Sequence, residues 1–156
     1  MKGAICCFLG HREIRETTEL KNRLSETVEK LIIHKNVDTF LFGSKSCFNE
    51  LCRKTVSEIK ERYPNIRRIY VRAEFPDISD SYEKYLLEMY DDTYYPDNIR
   101  GSGKAAYVER NFHMIEQSRF CVFYYNAELA PIKRKSGTKI ALDHAVKRNK
   151  EIIIFE

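Results

Sequence analysis

The sequence predicts an α/β protein: a three-layer α/β/α Rossmann-like sandwich around a mainly parallel five-stranded sheet. Three observations predict it. Strand-like apolar runs alternate with amphipathic helical stretches along the whole chain. Ala4–Leu9 and Phe120–Tyr125 are continuous apolar runs, as expected of strands buried on both faces. The 156 residues suffice for one domain with a sizeable core, residues 1–156, with no internal repeat or low-complexity tract.

The elements follow in order. Ala4–Leu9 is the first strand, ending at Gly10-His11-Arg12. A helix is expected from about Ile14 to Lys35, with Leu20, Leu24, Val28, Leu31 and Ile32 as its apolar stripe. Thr39–Phe42 is the second strand, ending at Gly43-Ser44-Lys45-Ser46, and a helix runs from about Phe48 to Arg62. Arg67–Arg72 is the third strand. Ser81–Tyr90 reads as a tyrosine-rich helix and residues 91–97 as an irregular loop. A helix spans Lys104–Gln117. Phe120–Tyr125 is the fourth strand, the helix after Ser136 runs to about Asn149, and Glu151–Phe155 is the fifth strand. Right-handed crossovers favour the strand order 3-2-1-4-5.

Composition narrows the function. Charged residues are 32% and hydrophobic ones 43%, ordinary for a soluble protein. The net charge of +4 permits anionic ligands but does not by itself argue for nucleic acid. No apolar run is long enough to span a bilayer, and a strand begins almost at Met1, so no membrane partner and a cytoplasmic location are expected. Five cysteines without regular spacing make a poor disulfide framework, and no metal site or cofactor is expected.

Three strand ends carry glycine and a cation near it. In a parallel sheet they share one edge, where ligands of such folds bind. The junction Ser136-Gly137-Thr138 carries the most chemistry. Ser136 suits an N-cap, Gly137 admits close backbone approach, and the first amides of the helix favour an anion. Lys133, Arg134, Lys135 and Lys139 flank it. A phosphate group is therefore expected there, held by Ser136, Gly137 and Thr138, with Gly10, His11, Arg12, Gly43, Ser44 and Arg72 lining the rest. Each has a plainer reading: glycine often ends elements, and Arg72 equally suits a salt bridge to Glu74. The tyrosines from Tyr82 to Tyr107 suit base stacking or a covered sheet edge. Gly101-Ser102-Gly103-Lys104 is not a Walker loop, since Asn98 and Ala105 stand where glycine and Ser or Thr are needed.

The run Ala106–Ser118, the strand after it and Ser136-Gly137-Thr138 opening a helix resemble the SLOG superfamily, which includes the LOG phosphoribohydrolases and the Rossmann domain of DprA. Phe8–Arg12 and Tyr70–Glu74 are similar to its small stand-alone bacterial YpsA-like branch. The resemblance implies a nucleotide or a nucleotide-derived ligand, NAD- or ADP-ribose-like, with Arg110 assisting, and a homo-oligomer. The glutamate of the LOG motif falls at Ala141, which leaves the hydrolytic site without its acid. A nucleotide-binding or sensing protein is therefore the preferred expectation, and nucleic acid is not the expected partner. The alternatives are an N-glycosidase or phosphoribohydrolase, with Glu109, Arg110 and Glu74 as catalytic candidates, and a DprA-like nucleic-acid module using Lys133-Arg134-Lys135.

Overall fold

All five expected strands are present, and a sixth joins them. The protein is described by a computed structural model covering residues 2–129 and 136–156. The strands are β1 (Ala4–Gly10), β2 (Val37–Phe42), β3 (Arg67–Val71), β4 (Asp92–Tyr94), β5 (Phe120–Tyr124) and β6 (Glu151–Phe155). The helices are α1 (Thr18–Lys35), α2 (Cys47–Lys60), α3 (Asp80–Met89), α4 (Lys104–Gln117) and α5 (Gly137–Lys147). The sheet is wholly parallel in the order β4-β3-β2-β1-β5-β6. This is the expected order with one strand added at an edge.

The added strand, β4, lies in the segment read as an irregular loop. Three residues are too few for a periodicity signal. Its anchor is polar instead. The Asp91 carboxylate accepts from the Arg68 amide at 2.8 Å and from the Arg68 guanidinium at 3.1 and 3.2 Å. The outward amide of Thr93 donates to Asp92 Oδ1 at 2.8 Å, and Asp92 also pairs with Arg67 at 3.5 Å.

A second departure is the start of α1. The helix begins at Thr18 because Thr17 caps it, accepting from the Leu20 amide at 3.0 Å. Residues 11–16 instead cross the end of the sheet, where the Arg15 amide donates to the Tyr124 hydroxyl at 3.1 Å.

Two apolar layers hold the helices on. On one face Leu20, Leu24, Val28 and Leu31 of α1, with Phe48, Leu51, Cys52, Val56 and Ile59 of α2, pack on Phe8, Phe40, Phe42 and Tyr124. On the other, Met114 and Ile115 of α4 and Ala141, Leu142 and Ala145 of α5 pack on Cys7, Leu9, Leu41, Val71, Cys121 and Phe123. Alternate residues of the central strands β1 and β5 serve opposite layers, which is why their sequences are apolar almost throughout. The chain reverses direction across the sheet at β1, flanked by β2 and β5. That reversal opens a crevice beyond the carboxyl ends of the strands.

A cationic, aromatic-rimmed cleft as candidate functional site

The crevice is a cavity of about 1130 Å³. It is walled by the turns after β1, β2 and β3, by α3 and α4, and by the start of α5. All the expected ligand-lining residues reach it: Gly10, His11, Arg12, Gly43, Ser44, Arg72, Arg110, Ser136, Gly137 and Thr138. Lys133, Arg134 and Lys135 lie outside the described residues. A shallower depression of about 570 Å³ at the amino ends of the strands is lined by charges already paired, Arg119 with Glu151 and Arg148 with Glu116.

Arg110 occupies the floor. It is 5% exposed, and its sole hydrogen bond among the described residues is Nε to Asn111 Oδ1 at 3.0 Å. No carboxylate pairs with it among those residues, although the Tyr107 ring lies 5.5 Å from its guanidinium carbon. Burial lowers its pKa, while the neighbouring Tyr70, Tyr107 and Glu74 oppose that shift. A desolvated guanidinium with free donors facing a cavity is a site for an anion. Gly43 makes room for it: a β-carbon there would lie 2.7 Å from Arg110 Cδ and 2.6 Å from Met114 Sδ.

Several expected contacts are occupied in building the walls. Ser44 donates to the Ser46 hydroxyl at 3.0 Å, and Ser46 caps α2 by accepting from the Asn49 amide at 3.1 Å. Asn49, 2% exposed, accepts from the Gly43 amide at 3.3 Å. Arg72 makes no salt bridge to Glu74. Its guanidinium donates to the Thr93 hydroxyl at 3.2 Å and the Pro76 carbonyl at 3.1 Å, shaping the loop after β3. Ser136 does cap α5, accepting from the Lys139 amide at 3.0 Å. Gly137 has no positive φ, and nothing lies within 4 Å of a β-carbon built there. The fold does not demand glycine at that position.

His11 joins the ends of β1 and β5. It is 7% exposed, and Nε2 lies 3.0 Å from the Asn126 amide and 3.2 Å from the Asn126 carbonyl, so its tautomer decides which of the two it engages. Burial lowers its pKa, more than the nearby Asn126 carbonyl raises it. His113 is lowered likewise, by burial opposed by Glu116 and Asp97, and its Nε2 lies 2.8 Å from the Tyr94 hydroxyl. Both rings fold neutral. The unfolded chain, with histidine near its ordinary value of about 6.5, takes up protons first as pH falls. Stability is thus complete above about pH 6.5 and lost below it. The melting temperature is expected to drop between pH 7 and 5, and a His113→Gln variant should flatten that slope. A melting temperature unchanged over this range would rule out neutral buried histidines.

Of the catalytic candidates, Glu109 is engaged by the backbone. Its carboxylate accepts from the Arg100 and Gly101 amides, both at 2.9 Å, and serves the turn before α4. Glu74 is exposed at the cleft rim and accepts from the Tyr107 hydroxyl. Phe75 and Lys104 on the rim and Asn111 beside Arg110 are further lining residues, not among the expected ligand contacts, and Lys45 of the loop after β2 joins them. One signal was available: Tyr107 precedes Arg110 by three residues, which puts the two on one helical face.

The comparisons bear on this geometry. No family model matches the chain, and no curated protein matches it. Among solved structures the chain is similar to DNA processing protein A from Helicobacter pylori, with a TM-score of 0.62 and 16% identity. The match covers 98% of this chain and 65% of that one, so this chain spans a little under two thirds of its neighbour. At that identity the likeness shows a shared Rossmann-like fold. The neighbour is described by its single-stranded DNA binding mode. That finding overturns two expectations, the free nucleotide as preferred ligand and the dismissal of nucleic acid as partner. The physical reason is that net charge averages over the surface. The cleft itself gathers Arg12, Lys45, Arg72, Lys104 and Arg110 against the carboxylates Glu13, Glu74 and Asp77.

Proposed function

We propose that this protein binds single-stranded DNA in the cleft, through one Rossmann-like domain spanning residues 1–156. The observation that carries the reading is the gathering of cations and aromatic rings around a buried arginine that has no carboxylate partner among the described residues. Phe75 and Tyr107 are 59% and 39% exposed at the cleft, large apolar surfaces that bases cover well. Lys45 lies 6.0 Å from the Tyr82 ring centre, and Lys104 and Arg12 lie on the same rim. Phosphates would bind the cations and the amides at the start of α5, while bases stack on the rings. The fold shared with a DNA-binding neighbour supports the reading. It keeps the SLOG resemblance and takes from it the DNA-binding role, for a protein working in the cytoplasm.

Fluorescence anisotropy with a labelled oligothymidine tests it. Each phosphate neutralised on a single strand contributes about −0.7 to the slope of log affinity against log salt. Three to five rim cations give a slope of about −2 to −4. Duplex of the same length should bind more weakly, since its bases are not free to stack. Affinity indifferent to salt, or equal for duplex and single strand, would refute the cleft as a single-strand site.

A further inference from the structure

β6 ends the sheet on the side away from β4, and among the described residues no strand lies beyond it. Its inner residues are spoken for. The Glu151 amide donates to the Arg119 carbonyl at 3.1 Å, and the Phe155 carbonyl accepts from the Tyr125 amide at 2.9 Å. Backbone groups alternate sides along a strand, so those of Ile152 and Ile154 face outward. Ile154 is 47% exposed, an unusual position for isoleucine on a sheet edge. Ile152 packs against the same layer as Ala141, Leu142 and Ala145 of α5, and Val146 of that helix is 59% exposed. An apolar, unpaired edge of this kind is a template for another strand.

The sequence of the edge identifies the strand that fits: its own. We propose that two copies of this chain pair β6 antiparallel to β6 about a two-fold axis through Ile153. In that register Ile152 stands opposite Ile154 of the second copy, and each such pair exchanges two backbone hydrogen bonds through its outward groups. Lys150 stands opposite Glu156 of the second copy, on the same face as Ile152 and Ile154. Both Lys150 and Glu156 lie outside the salt bridges of the described residues, although Lys150 Nζ donates to the Glu116 carbonyl at 3.4 Å. Centring the pair on Ile152 or Ile154 would oppose a charge to an isoleucine. The Ile153 register sets isoleucine against isoleucine and Lys150 against Glu156, and it places Glu151, already paired with Arg119 of its own copy, opposite Phe155. The result is a continuous sheet through both copies, with an isologous interface. This dimer stands independently of what the cleft binds.

Light scattering after size exclusion gives the first test. The expected mass is twice that of the 18.5 kDa chain. Ile154→Lys should yield a folded monomer, because lysine on an edge opposes strand addition. Lys150→Glu and Glu156→Lys should each raise the dimer dissociation constant, by about tenfold, by setting like charges opposite. Combining the two should restore it. The register is tested by crosslinking. Cα atoms of a directly opposed, non-hydrogen-bonded pair lie about 4.5 Å apart, within disulfide reach. Ile153→Cys in a Cys47→Ser background should therefore form a disulfide-linked dimer on mild oxidation. A monomeric parent overturns the proposal. So does a dimer that survives Ile154→Lys and fails to crosslink through Ile153→Cys.

Discussion

An Arg110→Met variant is expected to melt higher than the parent and to lose most of its affinity for single-stranded DNA. The two effects have one origin. The guanidinium is 5% exposed and has one hydrogen bond, to Asn111, among the described residues. Holding a charge there without a carboxylate partner costs stability in the empty protein. Methionine has similar length and fills the space between Gly43 and Met114 without the charge. A gain of about 1–2 kcal/mol follows, or roughly 2–4 °C per kcal/mol for a chain of this size. A phosphate on the cleft floor would use the same free donors. Losing them should cost about 2–3 kcal/mol of binding, roughly 30- to 150-fold. Thermal melts and anisotropy on the same sample read both. A lower melting temperature would make Arg110 structural, and unchanged affinity would mean that the strand never reaches it.

Phe48→Ala is expected to cost about 3–5 kcal/mol, the largest loss among the substitutions considered. The ring is fully buried on the α2 side of the sheet, tilted against Tyr124 with centroids 5.6 Å apart. It also sets the identity of residue 10. A β-carbon on Gly10 would lie 2.6 Å from Phe48 Cγ. Gly10→Ala alone should therefore cost about 1–3 kcal/mol by overpacking, without backbone strain, since Gly10 has no positive φ. In the double variant the overlap with the ring is relieved, while the β-carbon that alanine keeps at position 48 still lies 2.7 Å from the new methyl. The combined loss should fall short of the sum of the two single losses by about 1 kcal/mol, the share of the clash that the ring supplies. Urea unfolding of the four proteins closes the cycle. Simple additivity would show that the ring is not what excludes a side chain from position 10.

That cycle marks what a sequence can and cannot convey. Gly10 and Gly43 were read as ligand-facing because they follow strands. They do border the cleft, but Phe48 packs against one and Arg110 against the other. Those neighbours are distant in sequence, so no local pattern reports them. The five longer strands were legible because each carries at least three consecutive apolar residues that serve both core layers. β4 was not, because a three-residue strand held by Asp91 and Arg68 has no period. The site was legible as a place, since parallel strands bring their ends together. Its character was only partly so. The strand ends showed cations on that edge and the tyrosines up to Tyr107 suited stacking, but Phe75 declares itself only by its exposure, and the modest whole-chain charge gave no weight to a polyanion. Glu109 adjoins Arg110 in sequence yet turns about 100° away on the helix, toward Arg100 and Gly101.

The two margins of the sheet are unequal, and this governs how large an assembly can grow. At β4 the outward amide of Thr93 is already consumed by the neighbouring Asp92 carboxylate, and the strand offers only three residues. A newcomer would find no donor there and little length to lie along. With a single adhesive margin, addition through β6 uses up the sole growing end on both molecules at once. Head-to-tail propagation would need adhesive margins on both sides. The proposed pairing would therefore terminate at two copies rather than extend into a fibre, even though each sheet carries a run of three consecutive isoleucines at its rim.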